Sequence, residues 1–178
     1  MIQKYFIAIV PPEPIEQEIQ DIKQSIFKTY GTKGALRSPA HITLQMPFSW
    51  EEEKEDTLIS TLKDFRQFPE FEITLNNFDY FEPRVIFIQV EKNPILFQFQ
   101  TQLTKYIKEH LHIFNQYEDK RGFHPHITIA FRDLKKPTFY KIWEDYKFQI
   151  FSKKFSFLSF SLLKFNGKIW EVYKNFDK

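Results

Sequence analysis

Two short stretches carry residues that could do proton chemistry. Residues 41–44 read His-Ile-Thr-Leu and residues 126–129 read His-Ile-Thr-Ile. In each, one apolar residue separates histidine from threonine and another follows. This alternating, β-branched composition, with Pro125 just before the second stretch, predicts a strand. A strand turns every second side chain to the same face. His41 and Thr43 should therefore face one way, and His126 and Thr128 likewise, while Ile42, Leu44, Ile127 and Ile129 turn into a core. The two motifs lie about half a chain length apart.

Histidine ordinarily titrates at about 6.5, so two of them, one neutral and one protonated, make a base and an acid in one site. Cleaving a phosphodiester needs that pair. One ring takes the proton of the attacking oxygen, and the other protonates the leaving oxygen on the far side of phosphorus. Each threonine sits roughly 7 Å along the strand from its histidine. Its hydroxyl can donate to a non-bridging phosphate oxygen, where negative charge develops in the transition state. Such a mechanism calls for no metal and no cofactor.

The elements that must position these motifs occur twice. Residues 4–10 read as a buried strand ended by Pro11-Pro12. Apolar residues at Ile15, Ile19, Ile22, Ile26 and Phe27 then mark one face of a helix to about Tyr30. A basic loop with Lys33 and Arg37, punctuated by Gly31 and Gly34, leads to the first motif, whose strand is expected to close at Pro47. Ser49 is the expected N-cap of a helix with an acidic first turn, Glu51–Glu53, running to about Phe68. Strands at 71–81 and 84–90 follow, joined at Glu82-Pro83. A helix opens at Asn93-Pro94, and a polar loop from Asn115 to Gly122 leads to the second motif. A short helix at about 137–147 and strands at about 153–165 and 168–175 close the chain, the last two turned by Asn166-Gly167, a strong hairpin signal.

The element order of the first half recurs in the second. It predicts an α+β fold: bilobal, with two pseudo-symmetric antiparallel-sheet lobes, helices outside and a central cleft faced by one motif from each lobe. The whole chain, 1–178, is expected to form one domain, with repeat halves of about 1–83 and 84–178 exchanging terminal strands.

Composition sets the outer bounds. Hydrophobic residues make up 42% of the chain and Phe alone accounts for 22 positions, enough for a large aromatic core. Four glycines leave little room for long flexible linkers. The absence of cysteine rules out disulfides and thiolate metal sites. The first residues lack the apolar run of a signal peptide, and no run approaches a membrane span of ~20 residues. A cytoplasmic monomer is therefore expected. The net charge of +2 suits a small anionic ligand rather than a broad nucleic-acid surface.

The paired HITL and HITI motifs resemble the HxTx signatures of the 2H phosphoesterase superfamily, in its 2′-5′ RNA ligase or RNA 2′,3′-cyclic phosphodiesterase branch. The similarity extends over nearly the whole chain in length, motif placement and repeat order. It implies metal-independent opening of 2′,3′-cyclic phosphates, on RNA ends or small cyclic nucleotides, to 2′-phosphates. It implies that His41 and His126 are catalytic and that Thr43 and Thr128 hold the phosphate. Within that scheme His126 is expected to activate water and His41 to protonate the leaving 3′-oxygen. Arg37 and Arg132, near the two motifs, could neutralise a phosphate. Phe48 and Phe123 could stack a base, although core packing is the better expectation in so Phe-rich a chain. Specificity is expected in the loops at 31–40 and 115–123.

Two rival functions fit parts of the sequence. His124 and His126 have the HxH spacing of two metal ligands on one strand face, with Asp133 as a third. A metal site there would leave residues 41–44 unexplained. A non-catalytic module gripping RNA ends or nucleotides in the same cleft would also use both motifs.

Overall fold

The computed structural model describes residues 1–115 and 122–178. The part of the expected 115–123 specificity loop at 116–121 lies outside the described residues. Eight strands are observed: β1 (Ile2–Ile9), β2 (Ile42–Glu51), β3 (Glu72–Phe81), β4 (Val85–Val90), β5 (His126–Ala130), β6 (Ser152–Ser156), β7 (Ser159–Phe165) and β8 (Trp170–Asp177). Four helices lie between them: α1 (Ile15–Tyr30), α2 (Glu55–Asp64), α3 (Pro94–Leu111) and α4 (Lys136–Tyr146).

The strands form two four-stranded antiparallel sheets, in the orders β2-β1-β7-β8 and β5-β4-β3-β6. Each motif strand is thus an edge strand beside the opening strand of its own half. β3 comes from the first half of the chain and lies in the second sheet, while β7 and β8 come from the second half and lie in the first. What looked like one strand at 153–165 is two. The chain leaves the second sheet after Ser156 and enters the first at Ser159.

The helical periodicity is realised. Ile15, Ile19 and Ile26 of α1 are buried. Gly31 caps that helix with φ 76°, a left-handed conformation in which glycine is unstrained, and donates its N–H to Phe27 O at 2.8 Å. On β1, Tyr5, Ile7 and Ile9 join the main core, whereas Phe6 and Ala8 turn to the other face with Leu163 and Trp170. Phe65, Phe99, Phe157 and Phe160 fill the centre, with Phe99 and Phe157 rings 4.7 Å apart in a tilted pair.

Two local expectations fail for physical reasons. Pro47 does not end the first motif strand. Pro47 falls in the register shift between the pairs Tyr5–Phe48 and Ile7–Gln45, a bulge on an edge strand where a residue without N–H is tolerated, and the strand runs on to Glu51. Ser49 is consequently inside the strand, and α2 starts later, after a short 3₁₀ turn at Glu52–Lys54, without a side-chain cap. The expected hairpin at Asn166-Gly167 forms, with a turn of four residues between the paired Phe165 and Trp170. There Asn166 Oδ1 accepts from the N–H groups of Lys168 and Ile169.

The halves touch across a clamp beside β5. Asp133 accepts hydrogen bonds from Thr32 Oγ1 (2.5 Å), Lys33 N (2.9 Å) and Gly34 N (3.0 Å). Gly34 approaches so closely that an added Cβ would lie 2.3 Å from Phe131 O and 2.9 Å from Asp133 Oδ1. Gly34→Ala should therefore destabilise the fold by about 1–3 kcal/mol, the usual cost of overpacking. Thermal unfolding checks this, and an unchanged midpoint would show that the clamp is not a tight contact.

Candidate active site

The two histidines are held alike. His41 immediately precedes β2, and its Nδ1 lies 2.7 Å from Pro39 O. His126 opens β5, and its Nδ1 lies 2.6 Å from His124 O. A carbonyl can only accept, so in both rings Nδ1 carries the proton that is donated. Each neutral ring then presents its lone pair at Nε2. Two rings locked in the same tautomer by backbone carbonyls two residues upstream are suited to exchange protons through Nε2.

Each threonine shares its histidine's face. Thr43 pairs with Ala8, which lies beside Phe6, and the Phe6 ring sits 4.8 Å from that of His41. Thr128 pairs with Phe87, whose ring is 4.9 Å from that of His126. Phe81 also meets His126 edge-on, at 5.2 Å. Both threonines are partly exposed. β2 and β5 approach one another, and a charge on His126 weakly disfavours one on His41.

His41 has the more perturbed environment. Although it keeps some solvent contact, burial pushes its pKa down from 6.5 to about 4. The Pro39 carbonyl opposes that fall, while the charges of Lys23 and His126 reinforce it. His41 is thus neutral at neutral pH, with an available lone pair. A neutral ring there suits proton acceptance, the reverse of the role expected for His41 from the sequence.

The remaining candidates are placed less evenly. Arg37 ends a 3₁₀ turn, is exposed, and lines a surface cavity of about 380 Å³ with Ser38, Pro39 and Trp170. Arg132 is exposed just past β5 and lies over the Phe131 ring at 5.2 Å. Neither arginine is in an ion pair among the described residues. Phe48 packs on the core and stacks with Tyr5 at 6.0 Å. Phe123 packs edge-on against Phe97 of α3 at 5.1 Å. Both rings thus serve packing in this structure.

Metal ligation at His124, His126 and Asp133 does not fit the donors. Burial alone would raise the Asp133 carboxyl, but the Lys33 N–H, the Thr32 hydroxyl and the Gly34 N–H hold it below the usual carboxylate range. Its oxygens are committed to that clamp. Among the described residues, no three His, Asp or Glu side chains gather as metal ligands.

Sequence reasoning missed the aromatic walls (Phe6 and Trp170 in one sheet, Phe81 and Phe87 in the other). It also missed a row of polar side chains on α1. Glu16 Oε1 accepts from Ala40 N at 3.0 Å, and Gln20 Nε2 and Lys23 Nζ donate to Ser38 O at 3.3 and 3.1 Å. One signal was available: Lys23 falls within the apolar stripe, four residues after Ile19 and three before Ile26.

A family model described as the 2′-5′ RNA ligase superfamily matches residues 11–168. A Geobacillus kaustophilus protein that carries a phosphoesterase name is 32% identical over 177 residues, spanning 97% of this chain and 95% of its own. The RNA 2′,3′-cyclic phosphodiesterase of Thermotoga maritima is 28% identical over 176 residues, covering 94% and 91%. Among solved structures, E. coli LigT complexed with 3′-AMP superposes with a TM-score of 0.68 at 22% identity, covering 99% of this chain and 98% of that one. TT0787 of Thermus thermophilus gives 0.64 at 19% identity, covering 98% and 97%. These structures share the two-sheet fold.

The depressed His41 pKa has a consequence for stability. Its folded value lies below the unfolded one, so between pH 6.5 and about 4 the unfolded chain binds more protons than the folded one. Stability must then fall as pH drops through that window. His41→Gln should show a shallower fall of the unfolding midpoint over the same range. Parallel curves for the two proteins would contradict a buried, neutral His41.

Proposed function

This chain belongs to the 2′-5′ RNA ligase superfamily, and we propose on that premise that it is a metal-independent phosphodiesterase opening 2′,3′-cyclic phosphates to 2′-phosphates. The observation that carries this reading is the matched pair of histidines. Both are fixed in the Nδ1–H tautomer, and each has a threonine beside it on a partly exposed strand face.

In the reaction, the cyclic phosphate lies between the two strands. His41 Nε2 takes a proton from water, and the water oxygen attacks phosphorus. The bond from phosphorus to the 3′-oxygen breaks, and that oxygen leaves with the proton of His126 Nε2. The 2′-oxygen keeps the phosphate. Thr43 and Thr128 donate their hydroxyls to the non-bridging oxygens, where charge accumulates. Arg37 and Arg132, both exposed and near the two motifs in sequence, attract the anion. The substrate is an RNA end or a small cyclic nucleotide; with a 5′-hydroxyl in place of water, the same step would open the cyclic phosphate to a 2′-5′ linkage, the 3′-oxygen again leaving with the proton of His126. The protein acts as a cytoplasmic monomer. Among the described residues, no helix is long and apolar enough to cross a membrane.

The test is hydrolysis of the four nucleoside 2′,3′-cyclic monophosphates and of a short RNA with a cyclic-phosphate end, in EDTA. Turnover to the 2′-phosphate should persist in EDTA and vanish in the His41→Ala/His126→Ala double variant. Thr43→Ala and Thr128→Ala should each slow it by about 10²-fold, the usual loss for one transition-state donor. The pH–rate profile should be bell-shaped, with its acid limb below the ordinary histidine value of about 6.5. Loss of activity in EDTA, or a flat profile where chemistry limits the rate, would contradict the two-histidine mechanism. Tight nucleotide binding without turnover would point instead to a binding module.

A further inference from the structure

Lys23 is 2% exposed on α1, and its Nζ makes one hydrogen bond among the described residues, to Ser38 O at 3.1 Å. Leaving an ammonium in such a place costs several kcal/mol unless something offsets it. Glu16, on the same helix face, acts on Lys23 through its charge but forms no close ion pair with it. Its carboxylate is engaged by Ala40 N and Gln20 Nε2.

The segment Lys23 touches is the one that orients His41. Ser38 O accepts from Lys23, and the next carbonyl, Pro39 O, accepts from His41 Nδ1 at 2.7 Å. Tethering this segment does not require a charge. Gln20 already donates to Ser38 O, and Glu16 accepts from Ala40 N. A buried lysine placed between a neutral amide and a carboxylate adds one thing they lack, a positive charge that acts on the imidazole. The charges acting on His41 are Lys23 from α1 and His126 from β5.

We propose that Lys23 is a positioning residue for His41: it holds the Ser38–Pro39 backbone that fixes the Nδ1–H tautomer, and its charge keeps the ring neutral and ready to accept a proton at Nε2. This rests on the reading of His41 as the proton acceptor of the phosphodiesterase. The same buried charge favours a phosphate anion arriving in front of the ring, so binding and proton acceptance draw on one side chain.

The experiment is an NMR titration of the His41 ring in the intact protein and in Lys23→Met, which keeps the volume and removes the charge. The His41 titration should move up by about one unit, the scale of removing one like charge that acts on the ring in a protein interior. The acid limb of kcat/KM should move up with it, and Lys23→Arg should keep the limb where it is in the unmodified protein. An unmoved His41 titration in folded Lys23→Met would overturn the proposal and leave Lys23 a structural tether. If Lys23→Met does not fold, the unmodified protein still decides. Burial lowers Lys23 to about 8, so the His41 ring signals should show a second inflection near that pH, and a flat response there refutes the coupling. The titration needs no substrate. Failure to turn over any cyclic phosphate would count against the proposed function alone, whereas an unmoved His41 would count against Lys23 alone.

Discussion

Everything at this site depends on covering the outer edges of the two motif strands with the opposite half of the chain. An edge strand has one row of unpaired backbone groups and would otherwise twist freely or pair with another chain. On β2 that row is met from the second half. Leu44 O accepts from Gln100 Nε2 at 3.1 Å and from Asn115 Nδ2 at 3.3 Å, and Met46 N donates to Asn115 Oδ1 at 2.9 Å. Just past β5, the Asp133 carboxylate grips residues 32–34 of the first half. Each motif is therefore fixed by the half that carries the other. The duplication gives more than two copies of a histidine, because it sets the separation between them.

That arrangement also gives the two histidines different surroundings despite their matched backbone bonds. His41 lies against Phe6 and behind it has Lys23, a buried cation on α1. His126 lies against the half-buried Phe81 ring and the buried Phe87 ring. A symmetric pair of imidazoles would have no preferred direction of proton flow. Burial and one added charge break the symmetry and keep His41 the more readily neutral ring. Fold-level pseudo-symmetry and site-level asymmetry thus arise from different residues, the first from the strand order and the second from the helix packed behind one strand.

Much of this was legible in the sequence. Helices α1 and α3 follow from apolar spacing, and the motif strands follow from alternation, because a period of 3.6 or 2 survives whatever surrounds it. What was lost depended on tertiary context. Pro47 looks like a terminator, yet it sits in a bulge of β2, where a missing N–H is tolerated. Two-residue alternation from Thr43 would turn Gln45 to the same face. A bulge at Leu44 instead sets Gln45 opposite Ile7, fully buried. The step from β6 to β7 between sheets has no local sign in an unbroken β-like stretch. Lys23 is visible only as an exception to a stripe, and its meaning appears once Ser38 and His41 are seen in front of it.

The most direct test of the central claim is a crystal structure with a nucleoside 2′-monophosphate, the expected product, in the cleft. The phosphate should lie between the sheets with both His41 Nε2 and His126 Nε2 within hydrogen-bond reach, about 2.7–3.2 Å, and with the Thr43 and Thr128 hydroxyls on its oxygens. A phosphate held by one motif alone, or bound elsewhere on the protein while both histidines remain apart, would contradict it.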